Sequence, residues 1–240
     1  MNRLDKELLS RNLAPSRAQA SLSIEGGHVS VNGKFVTKPA FKVSEDDEIV
    51  ISDPNSNYVS RGAQKLLAII DDKISGIAID LGSSTGGFTQ VLLERGAHKV
   101  FAIDVGHGQL HPKIANDPRV VSIEGCNAKD ISADLVGIDA STITCDLSFI
   151  SLTKALPATF DIVRGGCQLF ALVKPQFELS PAEIGKGGIV KSDADRARAL
   201  KNIEDFLAQN NWRTLKSIPS PILGGDGNQE FLISAIKEIT

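Results

Sequence analysis

Cysteine is scarce in this chain and poorly spaced for chemistry: the 240 residues hold three, Cys126, Cys145 and Cys167. An odd number with no Cys-Xaa-Xaa-Cys pair argues against a disulfide framework and against a zinc site, and no metal is expected. The segments around them read as strands, which makes them reduced core residues. Long apolar runs are also missing. Nothing approaches the roughly 18 residues of a membrane span, and the start MNRLDKELLSRN has no stretch that could serve as a secretory signal. The expectation is a soluble, cytoplasmic protein that does not engage membranes. A surplus of positive charge is absent too, since the net charge is −3. That excludes a protein gripping nucleic acid over its whole surface, but the average conceals a division. From Met1 to Lys42 seven basic residues stand against three acidic ones, so this stretch carries +4 and the remainder −7.

What is present points to two parts. A chain of this length with 42% hydrophobic residues can build one α/β domain of about 150 to 200 residues plus a small module. In the module, Leu4, Leu8 and Leu9 fall at helical spacing, and Ser16 is placed to cap a second helix. HVSVNGKFV then alternates about Asn32-Gly33, a strong short hairpin signal, and EIVIS supplies a last strand. The expected boundaries are a module over 1–52, a polar linker over 53–60 and the larger domain over 61–240.

The larger domain is organised around IAIDLGSSTGGF, residues 77–88. An apolar strand ending in Asp80 runs into a glycine-rich turn, and TQVLLERG continues with helical spacing. Gly82, Gly86 and Gly87 allow backbone to approach a ligand closely. The second strand, VFAID, ends in Asp104, where a carboxylate can accept hydrogen bonds from the hydroxyls of an adenosine ribose. A dinucleotide enzyme would place an acid there too, but the turn reads GSSTGG rather than GxGxxG. An acid on the first strand suits a cationic or amine-bearing ligand, and S-adenosylmethionine has both a sulfonium and an amino group. Strand and helix patterns then alternate through VVSIE, STITCD and CQLFALVK. This is the rhythm of a doubly wound sheet, so Asp146 and Lys174 end strands on one rim. WRTLKSI and QEFLISAIKEI should pair as an antiparallel end, with Glu230 at the mouth of the last strand.

Two resemblances build on these residues. RLDKELLSRNLAPSRAQA, followed by GGHVSVNGKFVTKP and DDEIVI, resembles the S4 RNA-binding domain, an α+β fold that presents basic side chains to structured RNA. That likeness implies phosphate contacts from Arg3, Arg11, Arg17 and Lys34. Further along, Lys65, Asp146, Lys174 and Glu230 have the order and spacing of the Lys-Asp-Lys-Glu tetrad of FtsJ-like 2′-O-ribose methyltransferases. SRGAQKL, DLGSSTGGFT, DLSFISL, ALVKPQFE and GKGGIVK together resemble the TlyA family of ribosomal RNA methyltransferases. That family implies a Rossmann-like class I methyltransferase fold with seven strands, the last antiparallel. It also implies transfer of the S-adenosylmethionine methyl group to a cytidine ribose 2′-hydroxyl of ribosomal RNA, with the ribosomal subunit as partner and no protein partner evident.

By the same resemblance Lys65, Asp146, Lys174 and Glu230 are catalytic, with Lys174 the base. Asp80, Gly82, Ser84, Gly86, Gly87, Phe88, Asp104 and Asn127 hold the cofactor. The GKGGIVK loop either meets RNA phosphates through backbone and Lys186 or is a mobile turn. Longer members carry an Arg-Xaa-Trp-Val linker where this chain has Ser56-Asn57-Tyr58-Val59, which makes large-subunit RNA the expected main substrate. Some members bear the name haemolysin, but a membrane-lytic protein would need an amphipathic or spanning segment that the chain does not offer. A non-catalytic RNA-binding factor is the other rival, disfavoured by the intact tetrad.

Overall fold

The Asn32-Gly33 dipeptide converts directly into structure. In the computed structural model both residues have positive φ, 51° and 76°, the backbone that a tight two-residue hairpin turn requires. The structure describes residues 1–14, 16–52, 57–71 and 73–239, excluding the side chains of Ala18 and Lys186. Half of the expected linker, residues 53–56, lies outside the described residues. The chain divides into two units, Met1–Tyr58 and Val59–Thr240.

The first unit runs β1 (Asn2–Arg3), α1 (Leu4–Ser10), α2 (Arg17–Glu25), β2 (Val29–Val31), β3 (Lys34–Phe35), β4 (Lys42–Val43) and β5 (Ile49–Ile51). Ser16 caps α2 by accepting from the Gln19 amide at 3.2 Å. β2 pairs antiparallel with both β3 and β5, while β1 pairs separately with β4. Leu4 and Leu8 of α1, Ala20 and Ile24 of α2, and Val29 and Val31 of β2 close a small core. Burial of each larger side chain stabilises it by about 1.5 to 3 kcal/mol.

The second unit opens with α3 (Gly62–Leu67) and continues with β6 (Ile77–Leu81), α4 (Gly87–Glu94), β7 (Lys99–Asp104), β8 (Val120–Glu124), β9 (Ala140–Cys145) and β10 (Gln168–Val173). The 17-residue helix Asp193–Gln209, capped by Ser192, leads into β11 (Trp212–Pro219) and β12 (Phe231–Lys237). The seven strands are ordered β11-β12-β10-β9-β6-β7-β8. β6 to β10 run parallel to one another, and β12 is antiparallel to both β10 and β11. This is the seven-stranded Rossmann-like sheet, with its last strand reversed. From β6 the chain winds one way to β7 and β8 and then returns to β9 on the other side. The crevice beyond the carboxyl ends of β6 and β9 is therefore a topological switch point, where such sheets bind ligands. Ile79, Leu81, Ile143, Leu169 and Ile233 fill the core beneath it. The three cysteines are free thiols, and burial pushes Cys167 up to about 12. Among the described residues no helix is long and apolar enough to cross a membrane.

Candidate active site

Between β6 and α4 the backbone enters the left-handed region three times, at Gly82 (φ 79°), Ser84 (φ 46°) and Gly86 (φ 95°). The first of these positions has no room for a side chain, because a Cβ on Gly82 would stand 2.6 Å from the Asp146 carbonyl oxygen. The turn thus lies against the end of β9. Gly87 is equally confined, since a Cβ there would strike the Ser60 hydroxyl and approach the Ala63 amide nitrogen to 3.1 Å.

The two acids predicted beside this turn behave differently. Asp104 ends β7 half-buried, its oxygens accepting from the Ser84 and Gly106 amides at 2.8 Å each. A carboxylate offers about four acceptor positions, so capacity remains for ribose hydroxyls. Asp80 is 0% exposed and is not a wall of either cavity described below. Its oxygens accept from the hydroxyls of Thr89 on α4 at 2.6 Å and Thr144 on β9 at 2.8 Å. Burial pushes this carboxyl up to about 6 against the opposing pull of the two hydroxyls, and the Asp146 charge adds to the rise. The expectation that Asp80 meets a ligand is therefore corrected: it braces the turn from beneath. Asn127 turns back on its own chain, accepting from the Lys129 amide at 3.2 Å to cap the turn Ala128–Asp130. Phe88 is buried at the start of α4 and lines the cavity over the turn.

Lys65, Asp146, Lys174 and Glu230 come from α3 and from the ends of β9, β10 and β12, and they meet in one row. Lys174 Nζ lies 2.7 Å from Asp146 Oδ1, Lys65 Nζ lies 3.9 Å from Asp146 Oδ2, and Lys65 Nζ donates to Glu230 at 2.7 Å. Both lysines and Glu230 are buried. Two cations alternating with two anions cancel overall, which is how such charges tolerate a site from which water is largely removed.

Two cavities adjoin along this row. One of about 250 Å³ lies over the glycine turn, walled by Gly82, Ser84, Gly87 and Phe88 and closed by Arg61 and Leu223. The other, about 290 Å³, is walled by Lys174, Glu230, Ser148, Phe149 and Phe177. Lys65, Gly82, Ser84 and Asp146 line both. Phe149 went unforeseen: it is 89% exposed, its φ is 66°, and its ring lies 5.2 Å from that of Phe177. A bulky residue in the left-handed region is strained. The only signal was its place three residues after Asp146. Buried Asn228, also unforeseen, donates to the Gly188 carbonyl and accepts from the Val190 amide, tying the GKGGIVK loop to the turn before Glu230.

In the first unit Asp5, 1% exposed, accepts from Arg3 at 2.9 and 3.0 Å and from Arg17 at 2.9 Å. Arg3, and then Arg17, holds the Asp5 carboxyl far below the usual range. The two guanidiniums are thus set side by side. Arg11 departs from expectation: its nitrogens are taken by Glu7 and by the carbonyls of Ser44, Glu45 and Asp47, so it braces the module from within. Lys34 is exposed on β3, and the Lys186 side chain lies outside the described residues.

Known proteins resemble this chain along nearly its whole length. An FtsJ-like methyltransferase model matches residues 58–237, and an S4 domain model matches residues 2–49. The 16S/23S rRNA (cytidine-2′-O)-methyltransferase TlyA of Mycobacterium tuberculosis is 39% identical over 236 residues, 96% of this chain and 88% of that protein. Hemolysin A of Brachyspira hyodysenteriae is 42% identical over 235 residues, 96% and 98% of the two chains. A solved structure from Streptococcus thermophilus, provisionally described as a hemolysin, superposes with a TM-score of 0.75 at 37% identity, covering 98% of this chain and 88% of that one. An FtsJ-like match over most of the chain, an S4 match ahead of it and relatives 39% and 42% identical over 96% of its length show where it falls: the chain belongs to the TlyA family of FtsJ-like methyltransferases.

Proposed function

We propose that this protein is an S-adenosylmethionine-dependent methyltransferase that modifies the ribose 2′-hydroxyl of a cytidine in ribosomal RNA, chiefly in the large subunit. The observation that carries the reading is the lysine and carboxylate row standing where the two cavities join, so that a donor over the glycine turn and an acceptor beside Lys174 would face each other. Gly82, Ser84, Gly87 and Phe88, which wall the cavity over the turn, would hold the adenosyl donor, with Gly86 shaping that turn and Asp104, bonded to the Ser84 amide, keeping acceptor capacity for the ribose. When bound, that donor supplies a methyl group on a positively charged sulfur.

The chain's own residues do the rest. A ribose hydroxyl is a poor nucleophile, so its proton must leave as the oxygen attacks, and a base within hydrogen-bond reach is required. Lys174 is that base. A lysine serves as a base in its neutral form, and Lys65 stands on the other oxygen of the carboxylate that holds Lys174. Asp146, between the two ammonium groups, and Glu230, on Lys65, orient them. Phe149 offers an exposed ring on which the target base can stack, an interaction worth about 1 to 3 kcal/mol. Arg3 and Arg17, fixed by Asp5, and exposed Lys34 meet RNA phosphates, and the Lys186 loop, tied to Asn228, adds backbone amides.

Incubation with methyl-labelled S-adenosylmethionine and separated ribosomal subunits, followed by mapping of the labelled ribose, tests this. Label at a cytidine 2′-oxygen of large-subunit RNA is the expected result. Labelled base, or none in either subunit, overturns it. Lys174→Ala should abolish transfer while calorimetry still registers the donor, and retained turnover would remove Lys174 from its role.

A further inference from the structure

The base is held by one more group than the four-residue row supplies. Lys174 Nζ donates to the Ser148 hydroxyl at 2.9 Å as well as pairing with Asp146 at 2.7 Å. An amine nitrogen is tetrahedral, with its stem at one corner. Two corners are therefore occupied by fixed acceptors, and one is left. As an ammonium, Lys174 carries its third proton there; as a neutral amine, it keeps N–H bonds to Asp146 and Ser148 and holds its lone pair at that corner. With a single partner the amine could rotate and carry the lone pair away from the hydroxyl. With two it cannot.

The segment that carries Ser148 is held against the one that carries Lys174 at further points. The segments 146–152 and 174–178 are clamped together a second time by Glu178, which accepts from the Ser151 hydroxyl at 2.5 Å and the Leu152 amide at 2.9 Å. The Phe149 and Phe177 rings make a third contact between the same segments. Between these clamps the backbone turns through the strained left-handed conformation of Phe149, which sends the ring out to solvent while its neighbour Ser148 reaches the lysine.

We infer that Ser148 is a positioning residue for methyl transfer, fixing the direction of the Lys174 lone pair toward the ribose hydroxyl. This rests on Lys174 being the base. In the step it serves, the 2′-oxygen gives its proton to the amine and forms a bond to the methyl carbon. The carbon–sulfur bond breaks with its electron pair going to sulfur, so that Lys174 ends as an ammonium and the sulfur as a neutral thioether. Ser148 is unchanged throughout.

The test is single-turnover and steady-state methylation of the RNA substrate by the full chain and its Ser148→Ala, Ser148→Thr and Lys174→Ala variants. Ser148→Ala should lower kcat about ten- to hundredfold, the loss of one hydrogen bond to a charged group. KM for RNA and calorimetric affinity for S-adenosylmethionine should stay as in the parent. Ser148→Thr keeps the hydroxyl at an exposed position with room for a methyl, and should restore most of the rate. Full activity in Ser148→Ala beside an inactive Lys174→Ala overturns the role of Ser148 and leaves the base assignment standing. An active Lys174→Ala removes the base and this inference with it. A Ser148→Ala defect that threonine does not restore, or that falls on KM or donor affinity, also overturns it.

Discussion

Asp80 and Asp104 end neighbouring strands, yet their surroundings assign them opposite work. Asp104 is half-buried and bonded to amides of two turns, with acceptor capacity to spare. Asp104→Ala should weaken S-adenosylmethionine binding by about 1.5 to 3 kcal/mol, and unchanged affinity in calorimetry would place the ribose elsewhere. Asp80 has no water contact, and its carboxyl is raised from 3.8 to about 6. Between those values the folded state binds a proton that the unfolded chain does not, so this group makes stability fall as pH rises from about 4 to about 6, and the full cost persists above that. Asparagine can bond both threonines without a charge. Asp80→Asn should therefore gain on the parent by about 2 to 3 kcal/mol across that interval, read as urea midpoints at pH 4 and pH 7. A gap that does not widen with pH would show that Asp80 carries no such penalty.

At the scale of elements, the first unit sets two arginines on one buried carboxylate, where α1 and α2 come together. Arg17→Ala should weaken binding to ribosomal RNA and lower the slope of log affinity against log salt by about 0.7 to 0.9, the release of one counterion. An unaltered slope would leave Arg17 as a solvated brace for Asp5. These elements also mark how far sequence alone reached. The hairpin at Asn32-Gly33, the Ser16 cap and the strands ending in Asp104, Asp146 and Lys174 were legible because each is a local pattern in period or turn chemistry. The β1–β4 pair was not, since two residues per strand make no pattern. Neither was the inward bonding of Arg11, whose partners stand more than thirty residues away at Ser44 and Asp47. Charge type can be read from letters, but whether a guanidinium faces water or carbonyl oxygens is decided by where distant loops fold. Phe149 escaped for a related reason, because nothing in DLSFIS announces a left-handed backbone.

For the molecule as a whole, the order β11-β12-β10 means that the last strand is inserted, not appended. β12 pairs with a neighbour on each side and starts one residue after Glu230, and that carboxylate reaches Lys65 across 165 residues of chain. Without β12 the sheet has an open slot between β10 and β11, and the ammonium of Lys65 lacks its nearest counter-charge. The sheet and the row of charges are thus completed by one event, the entry of β12 between β10 and β11.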